Sequence, residues 1–216
     1  MPHLKKIRVL CIDAHQLMLD GIRSLLEGVP GIEFVGGVHN FIAARRAVEE
    51  HRPDVVVVDV ALPGGCAIAA VSECCSQQDG LRVIVHTACV HDGYIDASIK
   101  AGAGGFVCKS DAPLHLVEAI LKMDTDKFYL SPTARARIAE GDGVDVLKSK
   151  LASVTPRELE ILRMIGLGMS RVEIADAIHR SLKTVDSHRA SIMEKLGVDD
   201  RVQLAILAIR EGLVVV

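Results

Sequence analysis

The chain has 216 residues, half of them apolar and a quarter charged, with a net charge of −3. That usage is globular, of one or two domains, and excludes a disordered, collagenous or coiled-coil chain. No apolar run reaches the ~18 residues of a membrane-spanning helix, and Met1-Pro2-His3-Leu4-Lys5-Lys6 lacks signal-peptide features, so the chain reads as soluble and cytoplasmic.

The first half alternates strands and helices. Ile7–Ile12 is a β-branched run ending at Asp13. Met18, Ile22, Leu25 and Leu26 then recur on one helical face, and Pro30-Gly31 stops that helix. Ile32–Val38 is a second strand, and Asn40 can cap a helix running to about His51. Arg52-Pro53 ends it, since a residue before proline avoids the α region. Asp54–Val60 is a third strand, whose four successive valines suit a sheet covered on both faces. Pro63-Gly64-Gly65 is a turn, Leu81–His86 a strand, Asp92–Ala101 a helix, Gly105–Cys108 a strand and Pro113–Met123 a helix.

This pattern predicts an α/β fold, a doubly wound (βα)5 parallel sheet, with its ligand site at the carboxyl ends of the strands. Four polar residues end aliphatic runs there: Asp13, Asp59, Thr87 and Lys109. Singly, each reads as a solvated or capping group. Together they suit phosphoryl chemistry. In such chemistry Asp59 would be a carboxylate nucleophile, Asp13 an oxygen ligand for Mg²⁺, and Lys109 and Thr87 donors to phosphoryl oxygens. His15, His86 and His91 lie near this rim without metal-ligand spacing. The six cysteines (Cys11, Cys66, Cys74, Cys75, Cys89, Cys108) contain no C-x-x-C pair and read as small hydrophobes, with the vicinal Cys74-Cys75 as the candidate exception.

Residues 5–123 resemble a response-regulator receiver domain. The resemblance rests on Val9–His15, Val58–Gly64, His86-Thr87-Ala88 and Phe106–Lys109. It implies Asp59 as phosphoacceptor, Thr87 and Phe106 as switch residues, Lys109 as phosphoryl-binding lysine, and Mg²⁺ held by Asp13 and Asp59. One position departs. The family has two adjacent acids after the first strand, and here the second is Ala14. That removes a ligand and a charge, so Mg²⁺ binding and phosphorylation are expected to be weakened.

Residues 131–216 carry a net charge of +1 against −4 for residues 1–130. Asp, Lys, Gly and Ala dominate a connector at 124–152. Four capped helices follow: Pro156–Ile165 behind the capping box Thr155/Glu158, Arg171–His179 behind Ser170/Glu173, Leu182–Leu196 behind Ser181, and Arg201–Glu211 behind Asp200. They form a second, all-α domain with a central helix-turn-helix. In the third helix Val185, Ile192 and Leu196 make the inner stripe, with His188 beside it. Lys183, Thr184, Ser187, Arg189, Ala190, Ser191 and Lys195 are candidates for groove and phosphate contacts.

Residues 153–215 resemble a LuxR-type DNA-binding domain through Thr155–Glu158, Ile174-Ala175 and the spaced Ser181, Lys183, Thr184, Val185, His188, Ile192 and Lys195–Val198. The two resemblances imply a NarL/FixJ-type response regulator: receiver at 1–123, linker at 124–152, helix-turn-helix at 153–216. They imply duplex DNA, a second copy of the chain and a histidine kinase as partners, with no membrane, and no cofactor beyond weak Mg²⁺. Two rivals follow. A phosphatase using an aspartyl-phosphate needs D-x-D, and Asp59-Val60-Ala61 lacks the second acid, so no enzyme activity is expected. The other is an atypical regulator whose receiver works without phosphate, as a dimerisation, protein-interaction or redox-sensing module.

Overall fold

A computed structural model describes residues 6–60, 62, 67–88, 90, 92–123, 128–140, 150–210 and 213–214. The expected turn at Pro63-Gly64-Gly65, together with Cys66, Cys89 and His91, lies outside them.

Six parallel strands form one sheet in the order β2-β1-β3-β4-β5-β6. They are β1 (Ile7–Ile12), β2 (Ile32–Val38), β3 (Val55–Val58), β4 (Arg82–Thr87), β5 (Gly105–Cys108) and β6 (Tyr129–Leu130). Side chains alternate across the sheet with period two. Leu10, Ile12, Val56, Val58, Val83, Val85 and Phe106 enter one buried layer. Val9, Cys11, Val55, Val57, Ile84 and Val107 enter the other. Helices α2 (Phe41–His51), α3 (Ala67–Gln77) and α4 (Asp92–Lys100) cover the first layer, and α1 (Gln16–Glu27) and α5 (Leu114–Leu121) the second. Covering both faces is what lets the valines of β3 be buried on either side.

Several expectations are refined. The core face of α1 is Leu19, Ile22 and Leu26, with Met18 and Leu25 half-buried. Asn40 caps α2 by accepting from the Ala43 amide. Arg52 is not extended before its proline; it closes the helix in the left-handed region at φ 42°. The third strand is the four valines alone, which leaves Asp59 just beyond its end. The region expected to be a plain connector contains β6, paired with β5, and α6 (Pro132–Glu140). So the (βα)5 sheet carries a sixth edge strand, too short to show as a sequence period.

A 3₁₀ turn at Lys150–Ser153 leads into α7 (Pro156–Gly166), α8 (Arg171–Ala177), α9 (Leu182–Leu196) and α10 (Arg201–Arg210). Both capping boxes form as the sequence predicts. Ser181 accepts from the Thr184 amide, Asp200 from the Gln203 amide, and Gly197 ends α9 in the left-handed region. α7 packs on α10 and α9, and α8 packs on α9. Among the described residues no helix is long and apolar enough to cross a membrane.

Candidate phosphoryl site and nucleic-acid interface

The register Ile12↔Val58 and Val58↔Val85 aligns the carboxyl ends of β1, β3 and β4. Asp13, Asp59 and Thr87 therefore emerge together, and Lys109 follows β5 beside them. Thr87 is fully buried, and Asp13 and Asp59 are 2 % and 4 % exposed, far below what isolated carboxylates tolerate. Their partner is Lys109, whose Nζ donates to Asp13 Oδ2 and to Asp59 Oδ2, each at 2.6 Å. Burial disfavours the charged form of Asp13, but the Lys109 ammonium and the His15 amide outweigh it and hold the carboxyl below its usual range. Burial likewise works against the Lys109 charge, and the two aspartates overcome it and raise its pKa.

His15 completes the Asp13 shell. Its amide donates to Asp13 Oδ1 at 2.9 Å and its Nδ1 lies 3.1 Å from the same oxygen. Nδ1 of His39 is 3.2 Å from the Asp13 carbonyl. His39 belongs to no sequence motif and directly follows β2. Phe106 is fully buried in the α3–α4 layer, and the Lys109 amide donates to the Thr87 carbonyl at 2.9 Å. Asp13, Asp59, Thr87 and Lys109 are thus brought to one end of the sheet, while Phe106 lies within β5 in the buried layer beside it.

Mg²⁺ takes protein oxygens as one or two carboxylates, beside waters and phosphate oxygens. Asp13 and Asp59 meet that minimum. Among the described residues no group of three metal-ligating side chains occurs, and Ala14 presents only a methyl where a further carboxylate would stand. Asp13 and Asp59 would hold the ion in competition with Lys109 for the same oxygens.

The helical half separates the seven candidates for DNA contact. Lys183, Ser187 and Ala190 share the exposed face of α9. Thr184 is half-buried, its hydroxyl 2.9 Å from that of Ser181. Arg189 is half-buried at the inner margin, 3.9 Å from Asp186, which also faces Arg171. Ser191 and Lys195 turn the other way. Ser191 Oγ donates to Glu158 Oε1 at 2.7 Å, and Lys195 Nζ to Glu158 Oε2 at 2.6 Å. Glu158 also accepts the Thr155 amide at 2.7 Å. Burial would raise its pKa, but Lys195, then Ser191 and Thr155, bring it down to about 2. One buried carboxylate therefore caps α7 and clamps α9. The capping-box pattern marks Glu158 in the sequence, but its reach to α9 is visible only in the fold.

The description "Response regulator receiver domain" matches residues 9–121, and "Bacterial regulatory proteins, luxR family" matches residues 152–208. The chain belongs to the response regulators. It pairs a receiver with a LuxR-type helix-turn-helix DNA-binding domain, the architecture of a transcription regulator in two-component signalling. It is 32 % identical over 210 residues to the response regulator GacA of Pseudomonas viridiflava, covering 96 % of this chain and 98 % of that protein. It is 31 % identical over 211 residues to the transcriptional regulatory protein LiaR of Bacillus subtilis, covering 96 % and 99 %. Among solved structures, the Salmonella typhimurium response regulator RcsB superposes with a TM-score of 0.78 at 26 % identity, covering 96 % of this chain and 99 % of that one. RcsB bound to a promoter in the presence of the phosphomimetic BeF3⁻ gives 0.73 at 26 % identity, covering 93 % and 96 %.

Proposed function

We propose that this response regulator binds duplex DNA as a homodimer, reads it with the exposed face of α9, and takes a weakened phosphoryl input at Asp59. Residues 1–123 receive the signal, and residues 153–216 bind DNA, in the cytoplasm. The observation that carries the reading is α9 itself. It is clamped by Glu158 and capped at both ends, and it presents Lys183, Ser187 and Ala190 outward. Small side chains there let a helix approach the floor of a major groove, where a hydroxyl bonds base edges and a methyl meets thymine. Thr184 and Arg189 flank this face toward the phosphates. Ser191 and Lys195 serve the clamp on α7, so their contribution to DNA binding runs through the placement of α9. The solved complexes of RcsB with promoter DNA support duplex DNA as the ligand.

The dimer face is assigned to α10. Val202, Ile206 and Ile209 recur at helical spacing and are 67 %, 47 % and 43 % exposed, an apolar stripe that a second copy would cover. A two-fold pair of this kind reads half-sites about one DNA turn apart.

In the receiver, Asp59 attacks the phosphorus of a donor, either a histidine kinase's phosphohistidine or a small acyl phosphate, and the donor group leaves. Lys109 releases its bond to Asp59 and pairs with the phosphoryl oxygens, with Thr87 donating beside it and Phe106 as the switch aromatic. Asp13 and Asp59 would hold Mg²⁺, which neutralises charge on the transferred group. The lost acid at Ala14 slows this step. A second reading has its own support. Lys109 already pairs with both aspartates and offsets one of their two charges, which favours a receiver that also stands in one state with no phosphate and acts through dimerisation or protein contact.

The test is a gel shift on duplexes enriched from a random pool by the full chain. Ser187→Glu and Ala190→Glu should each abolish specific binding and leave the circular dichroism spectrum unchanged. Binding that survives both substitutions overturns the groove assignment.

A further inference from the structure

The sheet layer under α1 and α5 is aliphatic apart from Cys11, as Val9, Val55, Val57, Ile84 and Val107 show. His86 interrupts it. It follows Ile84 by two residues, so period two turns its ring to the same side. It is 9 % exposed, and its ring has no hydrogen-bond partner among the described residues. The ring lines a cavity of about 330 Å³ between α1 and α5. Met18, Ile22, Leu25 and Leu116 form its apolar wall. Gly21 stands at its mouth, where an added Cβ would meet nothing within 4 Å. The Lys109 stem lines it too, but the ammonium is taken by Asp13 and Asp59.

The lining selects the ligand's chemistry. An apolar wall with one convergent polar group is the usual form of a small-molecule site of this size. Asp13 and Asp59 lie close to His86, and Asp111 lies in the lining. With Lys109 as the one cation among the described lining residues, an anionic head is disfavoured. Burial first, and then the Lys109 charge, hold the His86 pKa down at about 4, so the imidazole is neutral at pH 7 and offers one donor and one acceptor. We propose that the α1–α5 cavity binds a neutral aromatic alcohol, with the ring system among Met18, Ile22, Leu25 and Leu116 and the hydroxyl on His86. Such a ligand touches the segment that carries Lys109 and gives this receiver an input that does not pass through phosphate.

The probe is 1-naphthol, titrated into the ¹⁵N-labelled full chain and followed by amide chemical shifts. Shifts should cluster on α1, β4 and the start of α5, with half-saturation below about 1 mM. Naphthalene, lacking the hydroxyl, should bind at least about threefold more weakly, and 1-naphthoate should not bind. Gly21→Leu, which also removes a helix-interior glycine, should weaken 1-naphthol at least about tenfold by blocking the mouth. Leu25→Trp, one turn further along α1, should do the same by filling the wall. His86→Val should reduce 1-naphthol to the affinity of naphthalene. The proposal fails if the shifts are absent at about 1 mM, which means a cavity that holds water only. It also fails if naphthoate binds as well as naphthol, or if binding persists in a folded cavity-filling variant.

Discussion

Replacing Lys109 by Met should reverse the pH dependence of stability. The Nζ lies 2.6 Å from an oxygen of each aspartate, and the three side chains are 12 %, 3 % and 4 % exposed. At an effective dielectric constant of about 20, each contact is an attraction of about 6 kcal/mol before desolvation. Breaking a buried ion pair from one side costs about 3–5 kcal/mol. Asp13 now has a lowered pKa, so its contribution is present above the unfolded value and is lost as pH falls through the folded one. Without Lys109, two adjacent buried carboxylates resist ionising together. The variant should then lose stability as pH climbs from about 4 to 8, and the deficit should shrink toward pH 5. Urea unfolding by far-UV circular dichroism at pH 5 and pH 8 reads this directly. Adding Asp13→Asn and Asp59→Asn to Lys109→Met should restore most of the loss at pH 8. A deficit equal at both pH values, or no rescue by the two amides, would refute the reasoning.

Two further outcomes follow from the helical half. Glu158→Gln removes a carboxylate whose pKa stands at about 2. It should cost about 3 kcal/mol at pH 7, and the difference from wild type should shrink steadily as pH falls from about 4.5 to 2. Urea unfolding across that range checks it, and Lys195→Met should add little in the Glu158→Gln background. Ile206→Glu should raise the dimer dissociation constant at least about tenfold by sedimentation with unchanged secondary structure. An unchanged constant would move the dimer face away from α10.

The parts of this fold legible in the sequence are those decided locally. Val55–Val58 can only be a doubly covered strand, and Ser170/Glu173 can only satisfy the first turn of a helix. The strand-end residues Asp13, Asp59, Thr87 and Lys109 could be assembled in advance because parallel strands place their carboxyl ends on one edge. What escaped depends on neighbours distant in the chain. The Ser72-Glu73-Cys74-Cys75-Ser76 stretch of α3 has no clear apolar period, and Cys74 is buried only because α3 lies over the sheet. The two-residue β6 exists only by pairing with β5. A helical wheel separates the inner from the outer face of α9, but it does not tell which flank meets Glu158, so Ser191 and Lys195 looked free for DNA. His86 shows only a lack of metal-ligand spacing in the sequence, because the emptiness above it arises from α1 and α5 together.

The most direct test of the receiver's role is intact-mass spectrometry of the chain incubated with Mg²⁺ and acetyl phosphate, beside Asp59→Asn and Ala14→Asp. The account predicts a slowly formed single phosphoryl adduct on the wild type and none on Asp59→Asn. On Ala14→Asp, with its carboxylate ligand restored, the adduct should form at least about tenfold faster. An adduct that persists on Asp59→Asn, or a wild type that stays unmodified while Ala14→Asp is phosphorylated, would contradict phosphoryl input at Asp59 in this chain.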